Sequence, residues 1–185
     1  FSREGDKDLK DKELLSRREA AKAALKVLGV ESFSFNNFPD NKMDTIATIE
    51  VAKTIEGIIK KHQPEIIFTH HYGDVNVDHR KVHEATTVAC RSQPLHPVKS
   101  ILCFEIASSS EWQFSYTGNG FLPNYFIDIS EFLSIKIESL SKYEYEMRKW
   151  PHPRSLKAVE NLAHWRGSIV GVDAAEAFAV GRIIE

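Results

Sequence analysis

Apolar residues along the chain switch between a helical and a strand period, and the switching lays out its elements. From Asp11 to Leu28, Leu14, Leu15, Ala21, Leu25 and Leu28 share a helical face, and Gly29 is a natural stop. Val30 to Phe35 alternates Phe33 and Phe35 with serines, a strand pattern. A turn-rich stretch, Asn36 to Asn41, separates it from a helix that starts at Asp44 or Thr45, runs to about His62 and is closed by Pro64. Glu65 to Thr69, carrying Ile66-Ile67-Phe68, reads as a buried strand, and His79 to Arg91 as the next helix. Pro94 and Pro97 break the chain before a strand at Ile101 to Ile106. Ser108 to Asn124 is polar and aromatic, with Trp112, Phe114, Tyr116 and Phe121, the character of a long functional loop. Tyr125 to Ile129 is a strand, Glu131 to Lys149 a helix, Trp150 to Pro153 a break, and Ser155 to Trp165 a helix. The pattern from Ala174 to Ile184 fits helix or strand equally. Alternating helices and strands predict a Rossmann-like, three-layer α/β/α sandwich with a mainly parallel sheet.

Composition narrows the class. A chain of 185 residues suits one domain, 1–185, with a full-sized core. A net charge of −2 gives no case for nucleic acid or an anionic membrane surface as partner. No run of ~18 apolar residues is present, so no transmembrane segment is expected. The opening Phe1-Ser2-Arg3-Glu4 lacks the apolar stretch of a signal peptide. Cys90 and Cys103 are far apart and outside any CxxC motif; two reduced, buried thiols fit a cytoplasmic location.

The chemistry concentrates in His70-His71-Tyr72-Gly73-Asp74-Val75-Asn76-Val77-Asp78-His79. These residues follow a strand and open a helix, the position at which open α/β sheets bind ligands. Imidazole and carboxylate are the usual ligands of zinc or iron. His79, at the helix start, is the leading candidate for a metal ligand. Asp78 can cap that helix or orient an imidazole, Asp74 can support a ligand from behind, and Asn76 can donate to a developing oxyanion. His70 and His71, adjacent at a strand end, point to opposite faces, so at most one serves the site. His83, four residues after His79, shares its helical face, but Arg80 stands where zinc peptidases place a glutamate, and a hydrogen-bonded, half-buried role suits it better. Arg17 and Arg18 can reach an anionic group or simply face solvent. Trp112, Phe114 and Tyr116 can stack on a sugar or pack on the sheet, and His152 sits in a rigid Pro-His-Pro turn that can line a pocket.

At this point the chain resembles the LmbE-like, or PIG-L, family of metal-dependent de-N-acetylases. Pro64 to His70 with Gly73-Asp74-x-Asn76-x-Asp78-His79 resembles its second metal-binding motif. Arg18-Glu19-Ala20 with Leu28-Gly29-Val30, Phe104-Glu105-Ile106 through Ser109-Ser110-Glu111-Trp112, and Phe126 to Ser130 follow in order. Lys136, Tyr143, Pro153-Arg154-Ser155, Arg166-Gly167 and Ala175-Glu176-Ala177-Phe178 complete the succession, which covers nearly the whole chain. The resemblance implies a divalent metal, usually zinc, that activates water against the acetamide of an N-acetylated sugar or glycoconjugate. It implies His79 as metal ligand, Asn76 where many members carry an oxyanion-stabilising histidine, and Asp78 as the residue before the ligand. Asp74 joins them on the catalytic loop, and Arg18, Glu105, Trp112 and His152 are the expected substrate contacts. The family's first motif, His-Pro-Asp-Asp, with two ligands and the general base, does not occur in these residues. The start at Phe1 leads to the expectation that a strand and helix carrying it, roughly 30 residues or more, stand upstream. Beside the deacetylase reading stand a non-catalytic binding member of the fold and a metal hydrolase of another amide or ester. An assembly of identical subunits stays open.

Overall fold

The computed structural model describes residues 7–114 and 118–185. Tyr116 of the predicted aromatic loop therefore lies outside the described residues. In chain order the elements are α1 (Lys7–Val27), α2 (Thr48–His62), β1 (Ile66–His70), α3 (Val77–Ala89), β2 (Ser100–Phe104), β3 (Tyr125–Asp128), α4 (Leu133–Ser141), α5 (Leu156–Val170) and β4 (Ala175–Arg182). Short 3-10 turns stand at Met43–Thr45 and Ser110–Trp112. The chain forms two compact units, residues 1–35 with 128–175 and residues 36–127 with 176–185.

The second unit carries the α/β character. β1 and β2 run parallel, with Ile67 beside Ile101 and His70 beside Phe104. β4 lies antiparallel to β2, with Phe104 beside Phe178, and the strand order is β1-β2-β4-β3. The bonds Asn124 N–H to Phe178 O and Ile129 N–H to Ala174 O run β3 antiparallel to β4 as well. In place of the mainly parallel sheet expected, the sheet is mixed. Hydrophobic period marks strands but carries no direction, and the undecided C-terminal segment is the strand that enters between β2 and β3.

α2 and α3 pack on each other, and their apolar stripes build the core. Val51, Ala52 and Ile59 of α2 meet Ala85 and Ala89 of α3, with Met43, Cys90 and Val98 closing the cluster. Ile67 and Ile101 reach it from the sheet. α2 ends at Gln63 in a left-handed conformation (φ 48°), whose side chain donates to the Ile59 and Lys60 carbonyls. β1 is less buried than its apolar run suggests: Ile66 and Phe68 are 53% and 47% exposed, and α3 packs on the strand. Phe68 leans on Phe178, 5.0 Å between ring centres. Cys90 and Cys103 are free and buried.

The first unit is helical, with α4 packed on both α1 and α5. Its predicted strand at Val30 to Phe35 is absent: Phe33 and Phe35 contact each other at 5.6 Å and make no strand ladder. The predicted helix over 131–149 stops at Ser141, because Arg148 N–H donates to the Arg154 carbonyl while Arg154 holds Glu146, folding the stretch back as turns. α5 runs on to Val170, from Ser155, whose hydroxyl accepts from Ala158 N–H, to Gly171 at φ 81°.

Candidate metal centre

β1 delivers His70 and the loop 71–76 to the carboxyl end of the parallel pair, and α3 begins at once. The turn starts as a continuation of the ladder, His71 N–H donating to the Phe104 carbonyl at 3.1 Å. Asn76 caps α3: its side-chain oxygen accepts from Asp78 N–H at 2.8 Å. Asp78 turns away from the histidines, its two oxygens accepting from Asn41 N–H at 2.6 Å and Met43 N–H at 2.9 Å. Of its two expected roles, capping and orienting, it performs neither; it ties the loop before α2 to the start of α3.

Asp74 is the centre of the arrangement. It is wholly buried, a location that costs a carboxylate heavily unless its lone pairs are filled. Three donors bond it: the Ser109 and Ser110 hydroxyls donate to its two oxygens, the latter at 2.6 Å, and Asn76 N–H donates at 2.8 Å. His79 Nδ1 lies 3.1 Å from Oδ1. Burial pushes the Asp74 carboxyl up, but the bonds from His79, Ser109, Ser110 and the Asn76 amide together outweigh it and hold it below the usual range. Asp74 is thus ionised and faces His79 Nδ1, leaving Nε2 at the far side of the ring.

The two neighbouring histidines point to opposite faces, as alternation requires. His70 stacks on His79 with ring centres 4.3 Å apart and leans on Phe104 at 4.9 Å. Burial first, and then the nearby His79, lower its pKa to about 4, so it is neutral near pH 7. His71 turns inward, 2% exposed, with Nε2 2.8 Å from the Asn119 carbonyl and its ring edge-on to Phe121. Tyr72 hydroxyl donates to the Gly118 carbonyl at 3.0 Å, so the two side chains clip the far end of the aromatic loop. His83 Nδ1 donates to the His70 carbonyl at 2.8 Å, the hydrogen-bonded role expected of it. Arg80, noted in the sequence only for not being glutamate, clamps the loop by donating to the Asp74 and Val75 carbonyls, both at 2.7 Å.

The structure therefore brings together Asp74, Asn76 and His79, with His70 against His79, while the Asp78 carboxylate binds the loop before α2. Glu105 directly follows β2, and Trp112, 53% exposed, follows Ser110 on the same loop. Arg18 and His152 belong to the other unit. There Arg18 lies over the Phe35 ring at 5.5 Å, and His152 Nδ1 accepts from Arg154 N–H at 3.0 Å to hold its turn. Ser109 and Ser110 were not singled out as site residues. Serines in a loop are ordinary, and only their burial against Asp74 sets them apart.

The donor chemistry suits a zinc-like ion at His79: an imidazole with a buried carboxylate behind it is how metal-ligating histidines are held. Among the described residues no group of three or more His, Cys, Asp or Glu is arranged to hold a metal alone. A catalytic zinc takes about three protein ligands, so His79 would supply part of a set.

Comparison with known proteins bears on the same loop. The family model described as PIG-L, GlcNAc-PI de-N-acetylase, matches residues 2–90, which include Asp74 to His79. Uncharacterized deacetylase YaiS of Escherichia coli (strain K12) is 30% identical over 137 residues, 71% of this chain and 66% of that protein. N,N'-diacetylchitobiose deacetylase from Pyrococcus horikoshii superposes with a TM-score of 0.68 at 19% identity, over 91% of this chain and 64% of that one. GalB, the 4-carboxy-2-hydroxymuconate hydratase of Pseudomonas putida KT2440, gives 0.65 at 20% identity, over 99% and 78%. The chain thus spans about two thirds of the length of the first two. At these identities the two structures speak to the fold alone, and they carry different reactions. The matched family model and the deacetylase relative place the chain in the PIG-L (LmbE-like) family.

Proposed function

We propose that the protein hydrolyses the acetamide of an N-acetylated sugar or glycoconjugate, with a divalent metal, zinc first among candidates. The observation that carries this reading is the buried Asp74 fixing His79 on the loop that the family model spans. His79 would hold the metal through Nε2. The metal, when bound, acts as a Lewis acid toward water and the acetamide carbonyl. Asn76 uses its side-chain oxygen to cap α3, so its amide N–H₂ is the donor it can offer to the developing oxyanion. Asp74 positions His79. Asp78 acts through the backbone it anchors. Trp112, with Glu105 on the same loop, would flank the sugar.

The test is acetate release from a panel of N-acetylglucosamine conjugates by the full-length protein with added zinc. His79→Ala is expected to lower the rate at least ~100-fold, the scale of losing metal or its support. A folded His79→Ala protein with full activity would refute the reading.

A further inference from the structure

We propose that Ser109 and Ser110 are positioning residues for His79, and that their hydroxyls set the Asp74 carboxylate so that it dictates which imidazole nitrogen faces outward. The inference rests on the reading of His79 as the metal-facing residue. Asp74, Ser109 and Ser110 are all buried. Three donors bond the Asp74 carboxylate, Ser109 Oγ and Asn76 N–H on Oδ1 and Ser110 Oγ on Oδ2, and His79 Nδ1 stands 3.1 Å from Oδ1. Rotation of the group would break at least two of these bonds at once.

The serines are themselves held. Ser110 Oγ accepts from Ile106 N–H at 2.8 Å. The Glu111 carboxylate accepts from Ser108 N–H at 2.6 Å and Ser109 N–H at 3.0 Å. Ser108 sits at φ 63°, a left-handed conformation that a non-glycine residue keeps only where its surroundings impose it. Two tightly bonded loops thus meet at one carboxylate. One carries His79, and the other runs on into Trp112. A displacement of the Trp112 loop would be felt at the His79 ring, because both compete for the same two oxygens. An Asp74 fixed as an acceptor keeps the proton of His79 on Nδ1 and the lone pair on Nε2, the form a metal takes.

A purely structural role for the serines would cost stability and leave the imidazole alone. The tautomer distinguishes the two. In metal-free, full-length protein, nitrogen-15 correlation spectra of the His79 ring are expected to show the Nδ1–H form. Ser109→Ala with Ser110→Ala is expected to admit the Nε2–H form and to weaken zinc binding about tenfold. Ser109→Thr with Ser110→Thr, which keeps both hydroxyls, is expected to restore the wild-type ring. A folded double-alanine variant with the wild-type tautomer and unchanged zinc affinity overturns the proposal. So does a wild-type ring in the Nε2–H form, whatever the variants do. A protein that passes these tests yet releases no acetate refutes the deacetylase reading and leaves this inference standing.

Discussion

A buried imidazole stacked on another imidazole resists protonation, and His70 shows the cost. Burial and the neighbouring His79 bring its pKa to about 4, from an ordinary value near 6.5. Between these values the unfolded chain binds a proton that the folded chain refuses. Stability is therefore complete above about pH 6.5 and declines as pH falls, by up to roughly 3 kcal/mol once pH is below about 4. Asp74 works in the same direction at lower pH: its carboxyl is held down by the groups around it, so its contribution is present above the ordinary carboxylate pKa of about 4 and is lost as pH falls through its folded value. Denaturant midpoints of metal-free protein are expected to fall between about pH 7 and pH 5, and His70→Phe, which keeps the stack, to flatten that slope. A wild-type midpoint flat over that range would contradict the account. At this scale the place of His79 in the first turn of α3 was legible, because a strand, a polar loop and a helical pattern follow one another there. Ser109 was not, since its partner Asp74 is 35 residues away and nothing local marks the pair.

Among elements, the turn from β1 to α3 is the most constrained. Gly73 approaches the other loop so closely that an added Cβ would lie 2.0 Å from the Asn119 carbonyl and 2.8 Å from His71 Nε2. Gly73→Ala must push residues 118–121 off His71 and Tyr72, with loss of two hydrogen bonds and roughly 2 kcal/mol. Faster amide exchange at those residues would report it, and unchanged exchange would exclude the clip. The cap of α3 separates two roles of Asn76. Asn76→Ser keeps a capping oxygen and removes the amide donor, so stability is expected within about 0.5 kcal/mol of wild type while kcat drops on the order of 100-fold. Equal kcat in Asn76→Ser would leave the residue as a cap alone. α2, α3, β1 and β2 were legible because each pairs a clear apolar period with a Pro, Asn or turn at its end. The segment over 30–35 misled because two phenylalanines at alternate positions satisfy a strand pattern, whereas here the rings pair with each other.

For the molecule as a whole, alternation of helix and strand foretold the α/β class but not the direction of its strands. β4 comes last in the chain and second from one edge in the sheet, and an antiparallel entry of that kind leaves no trace in hydrophobic period. Among the described residues no helix is long and apolar enough to cross a membrane. The ordered succession of moderate motifs carried more than any one of them, since only their order ties the loop at His79 to the elements that follow it. What the sequence pattern could not supply is the pair of serines behind the carboxylate, a contact made by folding. The central claim is that this imidazole holds a metal. The most direct test is zinc content of full-length protein after equilibration with zinc and removal of the free ion. The account predicts about one zinc per chain in the wild type and its loss in a folded His79→Ala variant. Zinc retained undiminished by that variant would contradict it.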